Sequence, residues 1–197
     1  MSPSPMRSFD PRRVGSLECR AWETYYRRKW GAFLVASIAL VRAAFRMSWP
    51  RTLVGAWLVL RANQVWAPFP DNDPDAARRI MTRFYRLLRK SEGGSFDPVE
   101  AARLEVEWWR AHREAQHAQG ADSGSDPALV AALRDLYAYT YGADRADVLL
   151  AAELRAEAMD ISDRWVEAGA DPENPMLAEE RALLVRSYAA LLAAVHR

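Results

Sequence analysis

Cysteine occurs once in this 197-residue chain, at Cys19, so neither an internal disulfide nor a cysteine-based zinc site can form. That scarcity predicts a reducing, cytoplasmic setting. Lysine is nearly missing too: of 27 Lys and Arg residues only Lys29 and Lys90 are lysine, and alanine is abundant. A GC-rich bacterial genome produces this usage, so a single arginine carries little functional weight by itself. Three histidines leave few imidazole ligands for a metal. Long hydrophobic runs are also absent. Trp30 to Val41 is apolar apart from Ser37 and stops at Arg42, well short of the ~20 residues that span a bilayer. The first fifteen residues have neither the apolar stretch nor the small-residue cleavage site of a secretory signal. Strand-like alternation and the Asn-Gly or Asp-Gly turns of hairpins do not occur. No Walker loop, dinucleotide fingerprint, zinc-hydrolase motif or nucleophile elbow is present, and no repeat of solenoid length.

What is present points to helices. Half the residues are hydrophobic and 27% are charged, a globular balance, with eight Trp, seven Tyr and six Phe to fill a core or line a pocket. Asp73-Pro74, Asp97-Pro98, Asp126-Pro127 and Asp171-Pro172 each pair an N-cap residue with proline at the first helical position. Glu100 follows Asp97 at capping-box spacing. Gly93-Gly94, Gly120, Gly142 and Gly169 stand where helices would stop. The punctuation predicts helices over 18–46, 50–66, 74–91, 98–119, 127–141, 144–168 and 175–195. The expected architecture is an all-α, single-domain bundle of about seven helices over 16–197, preceded by a disordered tail over 1–15.

The helices differ in kind. In 74–91 the apolar Ala77, Ile80, Met81, Phe84, Leu87 and Leu88 share one face, and Arg78, Arg79, Arg83, Arg86, Arg89 and Lys90 cover the other. Leu53 to Trp66 is apolar nearly all round, as a central helix would be. In 144–168 two stripes appear, Leu150/Leu154/Ile161/Trp165 and Val148/Met159/Val166, which implies neighbours on both sides. Residues 30–66 could also form an apolar hairpin lying in one membrane leaflet with arginines at the headgroups. A buried pair of core helices is the simpler expectation.

Two polar constellations could carry chemistry. Helical periodicity gathers Glu105, Trp109, His112 and Gln116 beside the stripe of Ala101, Leu104, Trp108, Ala111 and Ala115, a pattern that suits a small polar pocket or a boundary network of paired groups. Glu153, Glu157, Asp160 and Arg164 form a second stripe, and packing of 144–168 on 98–119 would bring Glu153 and Glu157 to His112. The single Glu-x-x-His, Glu114 to His117, points away from the apolar stripe and has no second copy, so no metal and no cofactor is expected. Cys19 beside Arg20 has no histidine near it in sequence to make it a nucleophile.

Charge is segregated. Residues 1–90 carry 17 Lys and Arg against 6 Asp and Glu, and residues 91–197 carry 10 against 20. The halves could complement each other within the chain or between copies, or the arginine face could meet an anionic partner. A pI near 7.9 and the lack of a recognition helix argue against nucleic acid. The expected function is a non-enzymatic interaction module binding a partner protein or itself. The alternatives are a small-molecule binder or enzyme using the Glu105/His112/Gln116 pocket, and a peripheral membrane protein using residues 30–66.

Overall fold

A computed structural model of the chain describes residues 5–92, 95–117 and 126–196. Among the described residues there is no strand. A 3-10 turn, Pro5–Arg7, precedes eight helices: α1 (Pro11–Tyr26), α2 (Trp30–Phe45), α3 (Trp49–Trp66), α4 (Pro74–Glu92), α5 (Pro98–His117), α6 (Pro127–Tyr141), α7 (Arg145–Glu167) and α8 (Met176–Ala194). Each helix packs chiefly on the next in sequence, and α8 returns to pack on α1, so the eight close into a ring. Short connections make neighbours antiparallel. On α7 and α8, for example, Ser162 donates to Glu180 and Ser187 donates to the Ala151 carbonyl. With an even number of helices, an up-and-down ring can close on itself.

The expected seven helices become eight because 18–46 is two helices. Arg28 adopts a left-handed conformation (φ 54°), its N–H donates to Tyr25 O, and Lys29 N–H donates to Thr24 O. These are the two bonds of a Schellman stop. Glycine usually signals such a stop, and here an arginine fills the position, so the break carries no sequence mark. The tail expected over 1–15 also takes another form. Asp10-Pro11 repeats the capping signature seen elsewhere: the Asp10 carboxylate accepts from Arg12 N and Arg13 N, and α1 starts there. Residues 1–4 lie outside the described residues.

The segment before α1 seals one end of the ring. Met6 and Phe9 are buried. Arg7 donates through Nη1 to Val195 O at 2.8 Å and through Nη2 to Tyr141 O, while His196 Nε2 lies 2.7 Å from Arg7 O. A cation there satisfies carbonyls at the C-terminal ends of α6 and α8.

Other caps vary in use. Asp73, Asp97 and Asp126 accept from backbone N–H groups of the turns that follow them. Asp171 instead holds a turn, accepting from Glu173 N, and α8 begins later. No capping box forms at Asp97: Glu100 bonds Arg103, and the Asp97 N–H goes to the Tyr139 hydroxyl. The two stripes of 145–167 do face two cores. Val148 and Met159 join the main core, and Leu154, Ile161 and Trp165 join a second one with Cys19 and Leu184. Leu150 and Val166 stay exposed. Leu53–Trp66 is a ring member rather than a central helix, and its outward side leaves Leu53, Val54 and Trp57 exposed.

At Gly15, α1 touches α8 backbone to backbone. A Cβ there would meet Val185 N at 2.7 Å and Leu184 C at 2.9 Å. Alanine ordinarily favours a helix over glycine by about 1 kcal/mol. Here rigid backbone must separate, and overpacking costs about 1–3 kcal/mol. Gly15→Ala should therefore lower the urea midpoint; an unchanged or raised midpoint would mean the α1–α8 contact is looser than described.

Candidate functional site

The ring encloses a cavity of about 250 Å3 to which all eight helices contribute. Its position follows from side-chain size and phase. The inward rows of α1, α4 and α5 carry Trp22, Tyr25, Phe84, Tyr85, Trp108 and Trp109, and rings of that size hold the helix axes apart. By scaling from the ~150 Å3 that holds benzene, the space suits about ten non-hydrogen atoms.

At its centre is an ion pair. Glu18 (α1) and Arg155 (α7) are both buried, and Arg155 Nη2 donates to Glu18 Oε1. Arg155 Nη1 donates to the Tyr137 hydroxyl at 3.2 Å. The guanidinium carbon lies 4.9 Å from the Trp108 ring centre, 5.8 Å from Tyr137 and 5.9 Å from Trp22, a cage of cation–π contacts. Burial opposes the arginine's charge, but Glu18 and the surrounding hydroxyls outweigh it and hold its pKa above the ordinary value. Glu18 Oε2 and Arg155 Nε are buried without partners.

Glu105 (α5) is the second carboxylate. The Tyr85 hydroxyl donates to its Oε2 at 2.7 Å. Glu105 is half-buried and lines the cavity. Burial raises its pKa, and the Tyr85 bond and the charge of Arg155 offset this only in part. The Trp108 and Trp109 indole N–H groups both lean toward this carboxylate without completing a hydrogen bond. Among the described residues, no donor completes a bond to Oε1. The Tyr141 hydroxyl also lines the space, and burial raises its pKa.

The end opposite the Met6/Phe9 seal is closed by one aspartate. Asp163 (α7) receives His112 Nε2 at 2.9 Å on Oδ2. On Oδ1 it receives Gln116 Nε2 at 2.6 Å and the Tyr26 hydroxyl at 3.5 Å. Gln116 is exposed, so the cavity approaches solvent here. Beside it the Arg113 guanidinium covers Trp66 at 5.6 Å and Phe69 at 5.5 Å.

The structure thus brings Glu105, Trp109, His112 and Gln116 to one cavity wall. It does not bring Glu153 and Glu157 there. Both are exposed, because the residues of α7 that face the cavity are Arg155 and Met159, and the acids stand on its far side. Asp163, one turn after Met159, meets His112 in their place. The spacing of Arg155, Met159 and Asp163 signals the inward row of α7, as Glu18 and Trp22 signal the row on α1. Glu114 pairs with Arg110, and His117 stacks on Phe69 at 4.1 Å. Among the described residues, no three metal-ligating side chains converge. Cys19 lies outside the cavity, donating to Leu177 O, and burial pushes its thiol up to about 12, which keeps it from acting as a thiolate.

Among the described residues the recorded ion pairs do not set the basic half against the acidic half. Nearly all ion pairs are local, and the long-range Glu18–Arg155 bridge puts the acid in the basic half and the base in the acidic half. On the predicted basic face of α4, Arg78 pairs with Asp75 and Arg79 approaches Asp73 at 4.0 Å. Arg83, Arg86, Arg89 and Lys90 are exposed and have no ion pair among the described residues. No family model matches the chain, and no curated protein or solved structure matches it significantly.

Proposed function

We propose that the protein binds a small, largely apolar molecule bearing a cationic or hydrogen-bond-donating group, with Glu105 as the polar anchor. The observation that supports this reading most is the Glu105 carboxylate, one oxygen held by the Tyr85 hydroxyl, facing an aromatic-walled cavity. Charge decides the ligand's sign. Glu18 and Arg155 neutralise each other, and Arg113 stands over Trp66 and Phe69 at the solvent end, so ionised Glu105 makes the potential negative on the Tyr85 side of the cavity. Arg155 already spends one N–H of each terminal nitrogen on Glu18 and Tyr137, and the Glu18 carboxylate beside it competes with an anionic ligand for the rest. Aromatic faces add attraction for a cation, and more so away from water.

Benzylamine, benzyl alcohol and benzoate are similar in size and differ in charge, which makes them suitable probes. Binding followed by tryptophan fluorescence should run amine, then alcohol, with benzoate weakest. Glu105→Gln should weaken benzylamine about tenfold to a hundredfold, the range expected on losing a charge-assisted bond. Ala44→Phe, which places a ring in the cavity, should abolish binding of both amine and alcohol. Preference for benzoate, or binding indifferent to both substitutions, would refute the site.

A further inference from the structure

A second surface lies outside the cavity on α2, α3 and α4. No Asp or Glu occurs between Glu23 and Asp71, while seven Lys and Arg do. Within that stretch the outward side of α3 presents Trp49 at 59% exposure, Leu53 at 50%, Val54 at 52% and Trp57 at 54%. On the neighbouring helix Val35 is 67% exposed. A water-facing helix normally places polar groups there. Positive charge borders the patch: Arg46, Arg51 and Arg61 lie on the same hairpin, and Arg83, Arg86 and Lys90 on the outward face of α4. None of these six has an ion pair among the described residues. Because α3 packs on α4, with Arg51 reaching Ser91 at 3.4 Å, the apolar stripe and the arginine face form one continuous surface.

We infer that this surface docks the protein on an anionic lipid bilayer. Tryptophan, leucine and valine would enter the headgroup and upper acyl region, and the flanking cations would meet lipid phosphates and carboxylates. No helix among the described residues is long and apolar enough to cross a membrane, so the contact is peripheral. Charge distinguishes this occupant from a second copy: a two-fold dimer through the same face would set unpaired arginines against unpaired arginines. The stripe itself disfavours nucleic acid, since Leu53 and Val54 offer nothing to phosphates or base edges.

The test is co-sedimentation of the full chain with phosphatidylcholine vesicles, with and without phosphatidylserine. Binding is expected only with phosphatidylserine, and it should fall as salt shortens the Debye length. Arg83→Glu with Arg86→Glu should weaken it about tenfold or more, from roughly 1 kcal/mol per basic residue near the surface. Trp49→Ser with Trp57→Ser should abolish it while leaving the helical spectrum unchanged, because both side chains are exposed. The inference is overturned by failure to bind phosphatidylserine vesicles, or by equal binding to neutral ones. It is also overturned if DNA or RNA binds where vesicles do not, or if the tryptophan substitutions turn a dimer into a monomer without affecting vesicles.

Discussion

Replacing Arg155 by methionine is expected to cost about 3–5 kcal/mol, the loss typical when one partner of a buried ion pair is removed. The magnitude follows from what stays behind. Glu18 would be left among apolar and aromatic groups without its guanidinium, one oxygen already unpartnered and the other stripped of its donor. Tyr137 would lose the N–H it accepts, and the rings of Trp22, Trp108 and Tyr137 would lose the cation they surround. Adding Glu18→Leu removes the stranded charge as well. Buried pairs replaced by apolar residues of similar volume are often neutral or better, so the double variant should recover most of the loss. Urea unfolding of the wild type, both single variants and the double variant measures the coupling directly. A single-variant loss under about 1 kcal/mol is the size expected of an exposed pair, and would contradict the burial described.

The chain reported its helices better than its site, for physical reasons. Caps and stops are local, so Asp73, Asp97, Asp126 and Gly142 marked boundaries within a few residues. Arg28 in a left-handed stop is invisible because the neighbouring fold, not an intrinsic preference, holds it there. The inward row of α5 was legible because Glu105, Trp109, His112 and Gln116 share one helical phase. Its partners were not: which stripe of α7 faces α5 depends on the closure of the ring, and periodicity within one helix carries no information about that. Glu153 and Glu157 looked suitable by charge, but Asp163 stands on the inward row. Glu18 was missed because α1 begins at Pro11, a full turn and more before the start that periodicity suggested. The exposed stripe of Trp49, Leu53 and Trp57 illustrates a general ambiguity. An apolar face has the same sequence whether it meets a core, a partner or lipid.

Between pH 4.5 and 7 the protein should lose stability as pH rises, through Glu180. This side chain lies wholly inside the second core, between α1 and α7, with Cys19 and Ser162 as its polar neighbours. Burial raises its pKa from 4.5 to about 7, and the Ser162 hydroxyl, which donates to Oε2 at 2.7 Å, counters only part of that. In the unfolded chain the carboxyl loses its proton near 4.5, while in the folded chain it holds it until about 7. Across that window the folded state binds more protons, so raising the pH favours unfolding. The shift corresponds to about 3 kcal/mol, fully lost above pH 7 and fully recovered below 4.5. Cys19 does not titrate in this range, since its thiol is held up to about 12. Glu180→Gln has no proton to exchange, so the difference in stability between variant and wild type isolates this one group. That difference should shift toward the variant by about 3 kcal/mol from acid to neutral pH, measured by urea unfolding at each pH. Parallel curves for the two proteins would show that Glu180 reaches water in the folded state and is not enclosed by α1, α7 and α8.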